Sequence, residues 1–282
     1  MAMDAAKTRF QIAGRRFAGI KAIIFDMDNT LFDFVEAKLA ACKAVAEALG
    51  GDAEELLRYF ARDPTRFEGH ANIAEYMAEK GLFEEARYSE ICSLYERVKL
   101  ESVSPYPGIR EALSSLKGMG LRLGVATNST PTNAVARLKR TGLISYFDAV
   151  VAAESKDEMK PKPNVVERAL DALGASPGEA IMVGDSLTRD IAAGSSLGML
   201  TAYAQYGDRN ISEARTEIAP DYVLRSVNDL VLMLEKRDLG SFYYPPPTVE
   251  TMNPCPDRLV GIPCSLGWQP NATSEWQGDR TG

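Results

Sequence analysis

Two aspartates separated by one residue, Asp26 and Asp28, are the first residues of the chain that could do chemistry together. On an extended chain, residues two apart point the same way, so both carboxylates would face one site. Two like charges held this close cost energy unless a cation or a shared proton relieves them. The simpler interpretation is an Asp-rich turn, because Asp and Asn are common turn residues.

The element that must position this pair is the apolar run directly before it, residues 22–25. A continuous apolar run of this length is typical of a strand buried on both faces in a parallel sheet. Open α/β sheets bind ligands outside the carboxyl ends of their strands. The two acids are therefore expected at the ligand-binding edge of a sheet.

Three later segments also carry side chains that could take part in a reaction, and each lies at the end of a predicted strand or in the loop beyond it. They are Thr127-Asn128, Lys160-Pro-x-Pro163 and Gly184-Asp185-x4-Asp190. Taken singly, each has a simpler explanation: part of a helix cap, a solvated lysine, or an acid favoured by a helix dipole. Their joint occurrence in this order on a βα scaffold indicates one composite site.

Strand-like and helix-like segments alternate from residue 103 to residue 236, which predicts an α/β fold with a parallel sheet. Residues 33–102 have no strand pattern and predict a run of helices. After Gly240 the chain is rich in Pro, Gly and polar residues, and we expect an extended or disordered tail. Residues 8–19 are compatible with a small hairpin.

The four segments together resemble the signature of the haloacid dehalogenase superfamily, in particular its aspartate-nucleophile phosphatases, over residues 20–236. The resemblance implies a doubly wound, Rossmann-like parallel sheet with a small all-helical cap inserted after the first strand, as in subfamily I. The domains would then be a catalytic core of residues 1–32 and 103–239, a cap of residues 33–102, and a tail of residues 240–282.

The same resemblance implies a role for each site residue. Asp26 would be the nucleophile, and Asp28 the acid and base that serves the leaving oxygen and the attacking water. Thr127, Asn128 and Lys160 would bind the substrate phosphate. A magnesium ion would be held by Asp26, Asp28 (through its backbone carbonyl), Asp185 and Asp190, with Asp190 in the ligand sphere or just outside it.

One position departs from the family pattern, because many relatives have Gly where this chain has Asn29. Asn tolerates the left-handed backbone conformation better than most residues, so the departure puts little in doubt. The residues that choose the substrate are not readable from the sequence. Basic residues of the predicted cap are candidates to bind a carboxylate or a second phosphate, although for any single one a solvated helix face is the better explanation: Arg58, Arg62, Arg66 and His70.

The net charge, the apolar stretches and the cysteine content limit the kinds of partner that the chain is expected to have. A formal charge of −7 and a pI near 5.0 argue against nucleic acid, which favours a basic surface. No apolar stretch suggests a membrane span or a signal peptide, and four scattered cysteines do not form a disulfide framework. We expect a cytoplasmic monomer or homodimer that acts on a small phosphorylated metabolite, without membrane or nucleic-acid partners.

Four functions stay open at this point. The first is a magnesium-dependent phosphatase that hydrolyses a phosphate monoester. The second is a phosphomutase of the same superfamily, which would return the phosphoryl group to substrate. A haloacid dehalogenase fits less well, because the resemblance gives it no need for Asp28 or the metal. A binding module without catalysis is disfavoured because every inferred catalytic position is filled.

Overall fold

The computed structural model describes residue 17 and residues 19–62, 70–209 and 218–235. The predicted tail of residues 240–282 and nearly all of the hairpin predicted for residues 8–19 lie outside the described residues. In the described part, strands and helices alternate from Ile109 onward, as the sequence predicts.

Within the described residues, six parallel strands form one sheet in the order β3-β2-β1-β4-β5-β6. This arrangement confirms the predicted doubly wound α/β fold. The strands are β1 (Ala22–Phe25), β2 (Arg122–Thr127), β3 (Ala149–Ala152), β4 (Ala180–Gly184), β5 (Leu200–Ala204) and β6 (Tyr222–Leu224). Strand order reverses at β1, which has β2 on one side and β4 on the other, so this is the point where such sheets bind ligands.

Nine α-helices surround or extend the sheet in the described part. They are α1 (Phe34–Leu49), α2 (Ala53–Arg62), α3 (Ala71–Glu79), α4 (Glu85–Glu101), α5 (Ile109–Gly118), α6 (Pro131–Arg140), α7 (Asn164–Leu173), α8 (Ala192–Ser196) and α9 (Val227–Glu235). Among these described helices, none combines the length and the apolar character that crossing a membrane requires.

The central strand β1 is buried over its whole length, which is why its sequence is uninterruptedly apolar. Its side chains alternate between two cores. Ile23 and Phe25 belong to the larger core, which also contains buried residues of α5 and α9, whereas Ala22 and Ile24 pack into the core beneath α7. Helices on both faces therefore hold the carboxyl end of β1 in place.

Helices α1 to α4 follow β1 directly and have a hydrophobic core of their own. Every residue of this cluster lies between Ala41 and Val98, with Tyr76 and Tyr95 among the largest fully buried side chains. The first helix begins at a side-chain cap, because Asp33 accepts a hydrogen bond from the Glu36 amide, and it ends at Gly50 with φ of 68°. The start of this helical unit lies only a few residues beyond Asp28.

Candidate active site

The carboxyl ends of β1 and β4 bring two of the predicted site residues side by side. Asp26 follows β1 directly and Asp185 follows β4 directly, and these two strands are hydrogen-bonded neighbours. The Asp26 amide continues the ladder by donating to the Val183 carbonyl over 2.8 Å. Parallel pairing therefore delivers both carboxylates to the same edge of the sheet.

Asp26, Asp185 and Asp190 form a cluster in which one carboxylate oxygen from each lies within 4.8 Å of the others. All three are buried, with residue exposures of 8%, 1% and 1%. The hydroxyl of Thr30 donates to Asp185 Oδ1 over 3.3 Å. The structure thus brings together three of the four predicted metal ligands.

A π-helical turn over Leu187–Ile191 carries Asp190 back toward the strand end. Ser186, which precedes this turn, makes two hydrogen bonds to it: its hydroxyl accepts from the Arg189 amide over 3.2 Å, and its own amide donates to Asp190 Oδ2 over 3.0 Å. π-helical turns are frequent at functional sites. Gly184 is required here, because a Cβ atom at that position would lie 2.4 Å from Asp190 Cβ.

Lys160 is a buried cation that pairs with two members of the acid cluster. Its Nζ donates to Asp26 Oδ1 over 2.5 Å and to the Ala126 carbonyl over 2.7 Å, and it lies 2.7 Å from Asp190 Oδ1. The side chain is 1% exposed. The structure therefore places Lys160, which is predicted to bind the substrate phosphate, beside the carboxylates of Asp26 and Asp190.

The loop that carries Lys160 is tied to the end of β2 by Asn128. The Asn128 side chain accepts from the Lys160 amide over 2.7 Å and donates to the Lys160 carbonyl over 3.1 Å. Thr127, the buried last residue of β2, accepts from the Ser129 amide through its hydroxyl over 3.1 Å. Asn128 therefore positions the lysine with its side chain and could offer a ligand its backbone amide.

Burial and mutual repulsion make the acid cluster electrostatically costly. Burial raises the pKa of Asp26 to about 6, with Lys160 opposing the rise and Asp190 adding to it. Burial, then the charges of Asp190 and Asp26, raise the pKa of Asp185 well above its ordinary value. For Lys160, burial acts to lower the pKa, but the carboxylates of Asp190 and Asp26 outweigh it and the pKa is raised.

The donor set of this cluster fits a magnesium ion. Magnesium takes oxygen ligands and is commonly bound through a few carboxylates. Here three buried carboxylates each place one oxygen within 4.8 Å of the others, so that a single ion could contact all three. A divalent cation would also relieve the repulsion that raises the pKa values of Asp26 and Asp185. Among the described residues this is the one group of three or more acids, histidines or cysteines that could hold a metal ion.

Asp28 does not join the three carboxylates, because its side chain lies against Arg137, a residue that none of the four sequence segments contains. Arg137 Nη1 donates to Asp28 Oδ2 over 2.5 Å, and the arginine side chain is 3% exposed. Arg137 lies on the buried face of α6 with Ala134 and Leu138. A charged residue on an otherwise apolar helix face is the sequence signal that could have indicated it.

Replacing Arg137 by Met is expected to lower the free energy of unfolding by about 2 kcal/mol, because the Asp28 carboxylate loses a buried partner while most of the packing is kept. Chemical denaturation at neutral pH measures the loss. The matched control is Lys139→Met on the same helix, where the side chain is exposed and the change should be within about 0.5 kcal/mol. Equal stabilities of the two variants would contradict the importance of the pair.

Asn29 connects the acidic segment to the helical unit. Its φ is 60°, the left-handed conformation for which Asn substitutes acceptably for Gly. Its side chain accepts from the Phe34 and Val35 amides, over 3.1 and 3.2 Å, at the start of α1. Gly207 packs against the Asn29 carbonyl so closely that a Cβ would lie 1.6 Å from the oxygen.

The basic residues suggested for substrate selection fall in different places. Arg58 is exposed on α2. His70 pairs with a residue of the same helical unit, since its Nε2 lies 2.9 Å from Glu96 Oε1. Both side chains of this pair are partly exposed. Arg66 and the side chain of Arg62 lie outside the described residues. The role of these four residues in specificity stays a prediction.

Comparison with known proteins agrees with the resemblance. A family model of haloacid dehalogenase-like hydrolases matches residues 20–198. Pyrophosphatase PpaX of Halalkalibacterium halodurans is 30% identical over 218 residues, which are 75% of this chain and 95% of the relative. Phosphoglycolate phosphatase of Aquifex aeolicus is 30% identical over 220 residues, which are 77% of this chain and 97% of the relative.

The fold also resembles that of a solved haloacid dehalogenase (HAD) phosphatase. The crystal structure of a HAD phosphatase from Thermococcus onnurineus superposes with a TM-score of 0.54 at 26% identity, covering 76% of this chain and 98% of that one. The residues matched by the family model, 20–198, include the acid cluster, Lys160 and helices α1 to α4.

Proposed function

Because the chain belongs to the haloacid dehalogenase-like hydrolases and is a phosphatase of that family, we propose that it hydrolyses a small phosphorylated metabolite through an aspartyl-phosphate intermediate. The observation that carries this proposal is the position of Lys160, whose buried ammonium pairs with Asp26 and Asp190, two of the three clustered carboxylates. The names of the relatives differ in substrate, so they support the phosphate chemistry and not one metabolite.

In the first step Asp26 is the nucleophile. A carboxylate oxygen of Asp26 bonds to phosphorus, the bond from phosphorus to the leaving oxygen breaks, and Asp28 gives that oxygen a proton. In the second step Asp28 takes a proton from a water whose oxygen bonds to phosphorus. The acyl-phosphate bond then breaks, inorganic phosphate leaves, and Asp26 is again a free carboxylate.

Arg137 is a positioning residue in this scheme. It binds the Asp28 side chain, which is not one of the three clustered carboxylates, and so orients the acid-base group. Lys160 orients the Asp26 oxygen and offsets negative charge beside the phosphoryl group. Thr127 and the backbone amides of the segment after it would bind the remaining phosphoryl oxygens, close to the start of α6.

Asp26, Asp185 and Asp190, with the backbone carbonyl of Asp28, would hold Mg²⁺. The ion supplies charge neutralisation between the phosphate and the carboxylates when it is bound. We also propose that helices α1 to α4 are the cap domain, because they have their own hydrophobic core and begin directly beyond the acidic segment. Such a unit would exclude water from the phosphoryl group.

A screen of phosphorylated metabolites for phosphate release in the presence of Mg²⁺ tests the proposed function. Release from one or more monoesters is the expected result. Dependence on a bisphosphate primer without net phosphate release would replace the proposal with a mutase. Absence of both reactions across sugar, acid and nucleotide phosphates would reject it.

Removal of the metal is expected to stop turnover and to lower the melting temperature. EDTA should abolish phosphate release and Mg²⁺ should restore it, and added Mg²⁺ should raise the Tm by mass action. Because burial raises the pKa of Asp26 to about 6, protons compete with the metal, and the Mg²⁺-induced rise in Tm should shrink as the pH falls through 6. Full activity in EDTA, or a pH-independent rise in Tm, would contradict this metal site.

A further inference from the structure

Three buried basic side chains surround the ring of Phe34, the first residue of α1. Arg137 Cζ lies 3.7 Å from the ring centroid, Lys38 Nζ 4.6 Å and Lys99 Nζ 5.9 Å. The residues are only 3%, 7% and 3% exposed. Lysines and arginines are rarely buried to this degree, and three around one ring call for an explanation. We call Lys38, Lys99 and Arg137 the cation group.

Each member of the cation group comes from a different element. Lys38 is on α1, Lys99 near the end of α4, and Arg137 on α6 of the catalytic core. The buried thiol of Cys42 gives a second indication that the two lysines converge: burial raises its pKa to about 12, and the charges of Lys38 and Lys99 both oppose the rise. The three cations therefore gather where the helical unit meets the core.

Two acids that accompany these cations are more exposed than the cations themselves. Lys99 Nζ lies 2.7 Å from Glu96 Oε1, whose side chain is 39% exposed, and Arg137 pairs with Asp28, whose side chain is 19% exposed. In both pairs the positive charge lies inside the junction and the negative charge nearer its surface. An anionic group that entered the junction would therefore meet the positive members of these pairs at its inner end.

The cation group also lies on a defined side of the reaction centre. In the proposed reaction Asp28 serves the leaving oxygen, so the part of the substrate beyond phosphorus lies next to Asp28. Arg137 contacts Asp28 and Phe34 at once, which places the cation group one side chain beyond that acid. A leaving group that followed this direction would approach Lys38 and Lys99, the other two cations around Phe34.

We propose that the cation group binds a second anionic group on the substrate, a carboxylate or a second phosphate, separated by a short linker from the phosphate that is hydrolysed. This inference rests on the proposed function, because it uses the direction in which Asp28 acts. It assigns a substrate class: small metabolites with two anionic ends, and not neutral or bulky apolar phosphate esters.

A kinetic comparison tests the proposal with two esters that differ only in this group. 2-Phosphoglycolate carries a carboxylate where ethyl phosphate carries a methyl group. The wild type should prefer 2-phosphoglycolate in kcat/KM, and Lys38→Met or Lys99→Met should reduce the preference about tenfold or more, since a charge-assisted hydrogen bond is lost. Lys38→Arg should retain the preference. Lys43→Met, exposed on the same helix as Lys38, is the matched control and should not change it.

Binding without turnover provides an independent measurement. With Mg²⁺ present, phosphonoacetate and methylenebisphosphonate should raise the Tm of the wild type more than methylphosphonate does, and the difference should shrink in both Met variants. A response to only one of the first two compounds would identify the anion. Variants that change the Tm but leave both the kinetic preference and the ligand shifts intact would overturn the proposal and assign the cations a structural role.

The two proposals fail in different ways. If both esters release phosphate equally and all three phosphonates give equal shifts, the phosphatase assignment stands and the anion site is rejected. If neither these esters nor any other monoester is hydrolysed but the phosphonate shifts depend on Lys38, the proposed function is rejected and the anion site stands.

Discussion

Asp26→Asn is expected to lower phosphate release by about 10⁴-fold or more, because the amide cannot form the acyl-phosphate on which both steps depend. This factor corresponds to about 5 kcal/mol of the activation barrier. Phosphate release under saturating Mg²⁺ measures the loss for any substrate found in the screen. Asp157→Asn is the matched control, because Asp157 precedes Lys160 by three residues and its side chain is 96% exposed. Retained turnover in the Asp26 variant would reject the nucleophile assignment.

The same variant should also differ from the wild type in how its stability depends on pH, because the pKa of Asp26 is raised in the folded protein. Because this pKa is about 6 in the folded protein and ordinary in the unfolded chain, ionisation opposes folding. The carboxyl therefore carries no penalty below about pH 4, and as the pH rises through 6 it costs stability on the order of 3 kcal/mol. Asn is neutral throughout. In metal-free protein, the variant should match the wild type at low pH and melt higher above pH 6.

A lower Tm for Asp26→Asn at pH 8 in metal-free protein would contradict the electrostatic account of the acid cluster. It would show that the pair with Lys160 contributes more than burial of the carboxylate costs. Together the kinetic and thermal measurements separate a lost nucleophile from a lost fold, since the expected inactive variant is also the more stable one.

Lys160→Met is expected to remove activity and to lower the free energy of unfolding by about 3–5 kcal/mol in metal-free protein at neutral pH. The ammonium lies within hydrogen-bond distance of both Asp26 and Asp190, so its removal leaves buried carboxylates facing one another. Denaturation monitored with and without Mg²⁺ measures the effect. Part of the loss should be recovered by Mg²⁺ and at acidic pH, because both reduce the repulsion.

The control for this substitution is two residues along the same loop. The Lys162 side chain is 54% exposed and lies 3.0 Å from Asp157, so Lys162→Met should change stability by less than about 1 kcal/mol and should not change turnover. A small stability loss for Lys160→Met, equal to that of the control, would show that the carboxylates are protonated at neutral pH and that the lysine is not their compensating charge.

Much of the framework is predictable because it depends on short stretches of chain. The apolar run before Asp26 predicts a strand buried on both faces, and β1 is fully buried. Thr130 and Pro131 predict the start of a helix, and the Thr130 side chain accepts from the Asn133 amide at the beginning of α6. Parallel strands then require their carboxyl ends to lie along one edge, so strand pattern alone is enough to group the predicted site residues.

The sequence by itself determined the strand ends, the order of the four chemical segments and therefore the family. Only the tertiary structure decided the partners of the charged side chains. Asp28 and Arg137 are 109 residues apart and Lys160 and Asp26 are 134 apart, so neither pair leaves a local pattern. The cation group around Phe34 likewise consists of residues that are far apart in the sequence and meet only in the folded protein. Backbone pattern repeats over two to four residues, whereas charge pairing depends on which elements pack together, and that is settled only when the whole core forms.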